Sequence, residues 1–221
     1  LESGEIQKEE IVKLIAERKV FPCYFGSALK IQGVEEFLKG IETFTRECAY
    51  PEEFGARVFK IARDAQGNRL TYLKITGGSL KVKMLLSNEK EAGEGKEELW
   101  EEKAEQIRIY SGNSFEAVKE AKAGSVCAVA GLSHTYCGQG LGIEAHTFLP
   151  VLEPVLTYKI ELPEDCNVHS MLIKLKELEE EEPQLHIVWD ERLQEIHAQV
   201  MGEVQIEILK RMIWERYKTE V

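Results

Sequence analysis

The sequence predicts an α+β protein in which a small β-barrel lies between an incomplete α/β piece and a split βαβ sandwich. Three observations predict this class. Between Arg57 and Leu149, short apolar runs alternate with glycine turns, which is typical of a small barrel or sandwich. Upstream, two amphipathic helical patterns enclose one apolar run. Downstream, the predicted order is strand, helix, two strands, helix and strand, so we place the domains at residues 1–48, 49–150 and 151–221.

The length and composition indicate a soluble protein with more than one hydrophobic core. The chain has 221 residues, whereas a typical domain has roughly 100–150. An apolar content of 43% with 30% charged residues is typical of globular proteins rather than disordered ones. No apolar run approaches the ~18 residues of a membrane helix, and residues 1–5 do not resemble a secretion signal. We therefore expect a cytoplasmic protein with no membrane partner.

The charge of the chain limits the partners that we expect. A formal net charge of −11 disfavours long-range attraction to nucleic acids and acidic membranes, and we expect no DNA partner. Any RNA contact therefore requires a local basic patch. Basic residues of the predicted strands form a candidate patch on the outer face of the sheet, with an ordinary solvated face as the alternative. They are Lys60, Arg63, Lys74, Lys81 and Lys83.

The cysteines indicate a reducing compartment. They are odd in number and irregularly spaced, so they do not form a disulfide framework: Cys23, Cys48, Cys127, Cys137 and Cys166. One set of residues can be weighed as a zinc site, namely Cys127, His134, Cys137 and His146. It lacks the paired spacing of zinc ligands, so we interpret its members as strand and loop residues and predict no metal site.

The N-terminal piece has the order helix, strand, loop, helix. A helix is predicted over Glu9–Arg18 and a buried strand over Val20–Phe25, and a second helix follows Gly33. Ligands of α/β proteins bind where the loop after a strand leads into a helix, and Ser27 and Ala28 occupy that position. One such unit cannot cover its own strand, so we expect this piece to belong to a larger domain.

The central region is predicted to start with a hairpin. Strands Arg57–Arg63 and Leu70–Ile75 flank the turn Asp64–Asn68. Leu80–Met84 alternates apolar and basic residues, as a half-buried strand does, and the glutamate-rich Ser87–Glu105 is predicted to be an exposed hairpin or loop. Two further stretches are predicted as strands: Ile107–Tyr110 and the apolar run within Ala123–Leu132.

The C-terminal region has the ferredoxin-like order βαββαβ. Its predicted elements are a strand at Val155–Leu162, a helix capped by Asn167, strands at Leu185–Trp189 and Glu195–Val200, a helix that carries Val204, Ile208, Leu209 and Met212, and a last strand that starts in Tyr217–Val221. His186 and His197 alternate with core positions and are expected at the surface. The run Glu179–Glu182 is interpreted as a solvated helix end rather than a catalytic cluster.

Several motifs resemble the translational GTPases. Phe25-Gly26-Ser27-Ala28-Leu29, followed by Gly33-Val34 and a helix, resembles their last guanine-recognition loop. The resemblance implies that Ser27, Ala28 and Leu29 contact GTP in a parent protein that also uses Mg²⁺. The chain has neither a Gly-x-x-x-x-Gly-Lys-Ser/Thr loop nor Asn-Lys-x-Asp. We therefore expect no cofactor on this fragment and no catalytic residue in it.

Two later regions make this resemblance more specific. Ala123–Leu132 resembles the Ala-Gly-Asp-Ile-Val-Ala-Val-x-Gly-Leu strand in the second-domain barrel of elongation factor G and its relatives, although Cys137–Leu141 departs from the usual Thr-Gly-Asp-Thr-Leu. Leu175–Pro183 and Met201–Ile208 resemble the third domain of that family. The resemblance covers the chain from about Val20 to Val221 and implies a barrel of the translation-factor domain II type.

One branch of the family is most similar. Val204-Gln205 and Arg69–Leu73 resemble the tetracycline-resistance ribosomal protection proteins. This resemblance implies a monomeric internal fragment of a ribosome-binding GTPase that releases tetracycline, with small-subunit RNA and protein as the partners of the parent. Two alternatives stay open. One is elongation factor G or a paralogue acting in translocation, and the other is a stand-alone barrel module in which Ser27-Ala28 is only a turn.

Overall fold

The computed structural model describes residues 6–45, 48–88, 99–144 and 154–221. The chain forms two compact units, Leu1–Ala49 and Tyr50–Val221, and the predicted α+β class is confirmed. In the described ranges, no helix has the length and apolar content needed to cross a lipid bilayer.

The first unit contains both predicted helices but not the predicted strand. Helix α1 spans Lys8–Ala16 and helix α2 spans Val34–Phe44. The prediction of a buried strand at Val20–Phe25 is wrong, since this stretch has no strand pairing and Phe25 is 94% exposed. A strand needs a neighbour for its backbone hydrogen bonds, and the described part of this unit supplies only one isolated bridge, between Ser27 and Gln32.

The second unit begins with ten short strands. They are β1 (Gly55–Arg63), β2 (Arg69–Gly77), β3 (Ser79–Lys81), β4 (Leu85–Ser87), β5 (Glu101–Lys103), β6 (Gln106–Ser111), β7 (Ser114–Val118), β8 (Glu120–Lys122), β9 (Val126–Ala130) and β10 (Gly140–Gly142). The main antiparallel sheet has the order β10-β1-β2-β9-β6-β7, and the pairs β3–β8 and β4–β5 complete the barrel. All of them enclose one core, which includes Val58, Ile61, Leu73 and Val129.

The predicted first hairpin is confirmed. Its turn is closed by the Asp64 carboxylate, which accepts hydrogen bonds from the backbone amides of Gln66 and Asn68 at 3.0 and 2.9 Å. Gly67 lies at the tip with φ +84°, where glycine avoids backbone strain. A β-bulge interrupts the register of β1 with β2 between Val58 and Lys60.

Two predictions for the barrel need correction. Leu80–Met84 is not one strand, because β3 ends at Lys81 and the chain turns through Lys83 at φ +69°. The turn lets the Lys83 amide donate to the Ala104 carbonyl at 2.7 Å. Within Ser87–Glu105, residues 89–98 lie outside the described residues. The described remainder is not simply an exposed loop, since it forms β5 and buries Trp100 and Ala104 in the core.

The C-terminal part of this unit is the expected split sandwich, with one strand fewer. Its elements are β11 (Leu156–Ile160), α3 (Val168–Glu181), β12 (His186–Asp190), β13 (Glu195–Val200) and α4 (Glu203–Tyr217), and the sheet order is β11-β13-β12. The predicted cap is confirmed, because Asn167 Oδ1 accepts from the Ser170 amide at 2.9 Å. The predicted last strand at Tyr217–Val221 is wrong: α4 continues to Tyr217, Lys218 ends it at φ +54°, and the three residues beyond form no ladder.

The core of the split sandwich lies between its sheet and its two helices. Met171, Leu175 and Leu178 of α3 pack with Leu209 and Ile213 of α4 against the inward residues of the strands. Those inward residues are Ile187, Ile196, Ala198 and Val200. The predicted surface position of His186 is confirmed, whereas His197 is half-buried beside Glu195 at 3.2 Å. Val204 and Ile208 of α4 are exposed by 71% and 44%.

Candidate functional site

The predicted guanine-recognition loop forms a tight turn in the first unit. The Ser27 amide donates to the Gln32 carbonyl at 2.9 Å, and the Gln32 amide donates back to Ser27 at 3.1 Å. Glycines are required at both ends of the turn. A Cβ at Gly26 would lie 2.5 Å from the Gln32 carbonyl oxygen, and Gly33 has φ +73°. The loop is therefore held in one shape before any ligand binds.

The tip of this loop has two unpaired backbone donors and lies beside a shallow pocket. In the described ranges, the amides of Ala28 and Leu29 donate to no protein acceptor, and the Leu29 side chain is 95% exposed. The pocket has a volume of about 270 Å³ and is lined by Tyr24, Ser27 and Phe37, among other residues. Free amides beside an aromatic wall suit a planar ligand with carbonyl acceptors. Ser27, Ala28 and Leu29 are thus adjacent in space and lie at the surface.

The barrel and the split sandwich are joined by an ionic contact that we call the Arg–Glu junction: Arg63, Arg69, Glu177 and Glu180. Arg69 Nε donates to Glu180 Oε2 at 3.0 Å. Arg63 lies 3.4 Å from the same oxygen and 3.6 Å from Glu177 Oε2. The two arginine side chains are only 16% and 15% exposed. Arg63 therefore binds glutamates of α3 and does not belong to a free basic patch.

Arg69 also organises the end of the barrel. Its guanidinium donates to the carbonyls of Leu132 and Thr135 at 2.7 and 2.5 Å and to Thr135 Oγ1 at 3.0 Å. The Thr135 hydroxyl in turn lies 2.7 Å from that of Thr71, and both threonines are buried. The sequence around Arg69 does not indicate a junction residue. Its carboxylate partner lies 111 positions along the chain, and no local pattern indicates such a pair.

The run Glu179–Glu182 is engaged in ion pairs more than predicted. Glu180 belongs to the Arg–Glu junction, and Glu179 accepts from Lys176 at 2.7 Å. Glu181, with a side chain only 9% exposed, binds Arg216 of α4 through two hydrogen bonds of 2.7 and 2.6 Å. The hydrogen bond to Glu181 raises the pKa of Arg216, although burial opposes the shift. The interpretation as a solvated helix end is thus wrong for Glu181, whereas Glu180 is exposed as predicted.

The residues weighed as a zinc site contact different partners. Cys127 lies in the barrel core, where burial raises the pKa of its thiol to about 12. Cys137 Sγ donates to the Phe59 carbonyl at 3.0 Å, and His134 Nδ1 lies 2.8 Å from Glu102 Oε1. His146 lies outside the described residues. Among the residues that are described, no group of three or more His, Cys, Asp or Glu side chains is placed to hold a metal ion.

Glu102 anchors the loop that contains His134. The carboxylate accepts from the amides of Ser133 and His134 at 2.8 and 3.2 Å and from the Ser133 hydroxyl. Partial burial of Glu102 would raise its pKa, but these hydrogen bonds outweigh burial and lower it.

The four lysines of the predicted basic patch lie on two different surfaces. Lys60 Nζ lies 5.8 Å from the centre of the Tyr72 ring, and Lys74 Nζ donates to the Gly124 carbonyl at 2.6 Å. Lys81 is placed 3.9 Å from Glu120 on the β3–β8 pair, and Lys83 lies in the turn after β3. Only Lys60 and Lys74 of the five predicted residues therefore lie on the outer face of the main sheet.

A second pocket lies where β13 leads into α4. It has a volume of about 450 Å³ and a largely apolar wall that includes Leu185, Met201, Val204 and Ile208. Gln205 shapes this entry, because its Oε1 accepts from the Met201 amide at 2.8 Å and so closes the turn before the helix.

Comparison with known proteins assigns both parts of the second unit. Residues 53–141 match the family model for elongation factor G domain 2, and residues 151–221 match the model for elongation factor G, domain III. Elongation factor G 2 of Syntrophus aciditrophicus is 28% identical over 95% of this chain and 34% of its own length. Elongation factor G 1 of Bdellovibrio bacteriovorus is 28% identical over 96% of this chain and 33% of its own length.

A solved structure from Thermus thermophilus has the same fold. It superposes with a TM-score of 0.76 at 21% identity, over 99% of this chain and 34% of that protein. The chain thus spans about a third of the length of the curated relatives that it matches.

Proposed function

We propose that the chain forms part of a longer, ribosome-dependent GTPase of the elongation factor G superfamily. The observation that carries this proposal is the pair of adjacent matches to domains 2 and III of one factor, in that factor's order. The barrel serves as the docking domain, and the split sandwich transmits the nucleotide state to the ribosome. The partner of the parent is the small ribosomal subunit.

In this proposal, the loop Ser27-Ala28-Leu29 recognises guanine in the parent. The free amides of Ala28 and Leu29 and the preformed turn support this role. GTP and Mg²⁺ bind to the parent, which supplies the phosphate-binding loop and the magnesium ligands that hydrolysis requires. The chain itself contributes only the base-contacting edge of the site and does not hydrolyse GTP alone.

Three tests address the nucleotide part of the proposal. Titration calorimetry of the isolated chain with GTP should show no binding, whereas micromolar affinity would contradict the assignment. The upstream reading frame should encode a Gly-x-x-x-x-Gly-Lys-Ser/Thr loop and Asn-Lys-x-Asp. A start codon near Leu1 without these motifs would favour the stand-alone barrel module. In the complete protein, Ala28→Asp should weaken GTP binding by placing a carboxylate at the base site, while Ala16→Asp, at the end of α1, should not.

For the cellular role, we propose tetracycline release from the ribosome. The support is the Val204-Gln205 pair at the entry to α4, where Gln205 closes the turn through Met201, together with Arg69–Leu73. A role as elongation factor G is the second candidate, since the two similar relatives both carry that name.

Expression of the full-length gene distinguishes these roles. A protection protein raises the tetracycline tolerance of a sensitive host and does not replace its elongation factor G. A translocation factor rescues cells depleted of elongation factor G and leaves tolerance unchanged. The second result would overturn the tetracycline proposal and leave the superfamily assignment intact.

A further inference from the structure

The outer face of the main barrel sheet carries a continuous row of aromatic rings. We call this surface the aromatic face: Phe59 on β1, Tyr72 on β2, Tyr110 on β6 and Phe115 on β7. The ring centres of consecutive members are 6.4, 5.7 and 5.5 Å apart. Phe59 and Phe115, at the two ends, are 47% and 46% exposed. A contiguous row of exposed rings, unlike a single exposed apolar residue, is typical of an interaction surface.

Cations are interleaved with these rings. The strand register places Arg57 beside Lys74, Lys60 beside Tyr72, and Arg108 two residues before Tyr110 on the same face. Lys60 lies 5.8 Å from the Tyr72 ring centre, and Arg108 lies 4.5 Å from that of Phe115. Both distances are within the range of a cation–π interaction.

The charge of this face differs from that of the whole molecule. The chain has 39 acidic residues among 221, yet the outward positions of the described strands β1, β2, β6, β7 and β9 include neither aspartate nor glutamate. Those positions include Arg57, Lys60, Tyr72, Lys74, Arg108 and Phe115.

Two carboxylates reach the face from its margins. Asp64 binds Arg108 at 3.1 Å, and Glu144 binds Arg57 at 2.5 Å. Within the described ranges, Lys60 and Lys74 take part in no ion pair, so their charges are available to an anionic ligand.

Rings and unpaired lysines on one sheet face suit a particular kind of ligand. Unpaired nucleic-acid bases stack on aromatic side chains, and the phosphates between them bind to cations. An acidic peptide would use the lysines but would gain little from four rings in a row. An apolar protein surface would use the rings but would have to desolvate the lysines without a partner.

We propose that the aromatic face binds unpaired bases of single-stranded RNA. The bases stack on Phe59 and Phe115 at the ends of the row, while Lys60 and Lys74 bind the backbone phosphates. A base-stacking site on the barrel is a more specific role than the docking role proposed above. It rests on the proposed function only for the natural source of the RNA, which would be the ribosome.

Fluorescence anisotropy with a labelled oligouridylate of eight nucleotides tests the proposal. Oligouridylate is unstructured, so binding requires neither ribosome nor GTP. Phe59→Leu and Phe115→Leu should each weaken binding about fivefold or more, since stacking contributes about 1 kcal/mol or more per base. Lys60→Gln should weaken binding and reduce its dependence on salt concentration.

Matched controls separate this effect from general damage. Trp214→Leu removes an aromatic side chain that is 52% exposed on α4, and Lys81→Gln removes an exposed lysine beside Glu120. Both should bind the oligonucleotide as the unchanged chain does. Circular dichroism and a urea titration establish that each variant is folded at the temperature of the assay.

The outcomes are distinct. Loss of binding in the aromatic-face variants alone supports the proposal, as does photocrosslinking of 4-thiouridine RNA to Tyr72 or Phe115. Oligouridylate binding that is absent, or equal in all variants, overturns it. Self-association that Phe115→Leu abolishes, without RNA binding, assigns the face to a protein contact and also overturns it. If the chain still co-sediments with small ribosomal subunits in these last two cases, the proposed function is unaffected.

Discussion

Replacing Glu180 by glutamine tests the contact that joins the barrel to the split sandwich. The carboxylate of Glu180 lies 3.0 Å from Arg69 and 3.4 Å from Arg63, so the change removes the negative charge from two guanidinium contacts at once. Because the Glu180 side chain is 42% exposed, each contact has roughly the strength of a surface ion pair, about 0.2–1 kcal/mol. We expect a loss of about 1 kcal/mol in the free energy of unfolding, and a smaller loss in 1 M salt.

Arg69→Met should cost more, because it removes contacts inside the barrel as well. Leu132 and Thr135 lose a charged donor, and an unsatisfied buried acceptor costs about 1–3 kcal/mol. Urea unfolding followed by tryptophan fluorescence measures both variants. Combined with the double variant, it gives the coupling between the two side chains, expected at about 0.5–1 kcal/mol.

Glu215→Gln is the matched control for the Glu180 variant. Its partner, Arg211, lies on the same helix at 3.6 Å, and both side chains are more than 60% exposed, so we expect no measurable change. If the Glu180 variant were as stable as this control, the Arg–Glu junction would not stabilise the fold. Zero coupling between Arg69 and Glu180 would lead to the same conclusion.

Three further predictions follow from local contacts. Glu102→Gln should destabilise the chain at pH 7 and by less at pH 4. The pKa of Glu102 is lower in the folded state than in the unfolded state. The stability that its carboxylate contributes is therefore fully present above the unfolded-state pKa and is lost as pH falls through the folded-state pKa. Urea titrations at both pH values measure this. A maleimide should label the exposed Cys23 and Cys48 first. It should label Cys127 only in urea, since burial raises the pKa of that thiol to about 12. Mass spectrometry of the labelled peptides measures this, and labelling of Cys127 in the folded chain would contradict the prediction. Asn167→Ala should cost about 1 kcal/mol by removing the cap of α3, and Asn167→Ser should restore most of it in the same urea assay.

The elements that the sequence predicted well are those whose causes are local. Helices α1 and α2 follow from apolar spacing, α3 from its Asn167 cap, and the first hairpin from the Asp64 turn. The strand predicted at Val20–Phe25 failed because pairing, not the residue pattern, decides whether an apolar run becomes a strand.

The missed features depend on distant partners. Strand β7 was not predicted: it lies at the edge of the sheet and four of its five residues are exposed, so its short stretch shows little apolar burial. The Arg–Glu junction and the row from Phe59 to Phe115 join residues that are far apart in sequence and meet only through the sheet order. The loop Ser27-Ala28-Leu29 was found through family resemblance, and its guanine contact stays a prediction.

Because of the β-bulge in β1, a residue on the outer face can change without any change in the core. Val58 faces inward opposite Leu73, and Ile61 faces inward opposite Thr71, while Phe59 is the extra residue between them. Deleting Phe59 would leave Lys60 opposite Tyr72 and Ile61 still directed inward, so the core would keep its phase. A bulky side chain can therefore be added to or removed from this surface by a one-residue insertion or deletion, without repacking the interior.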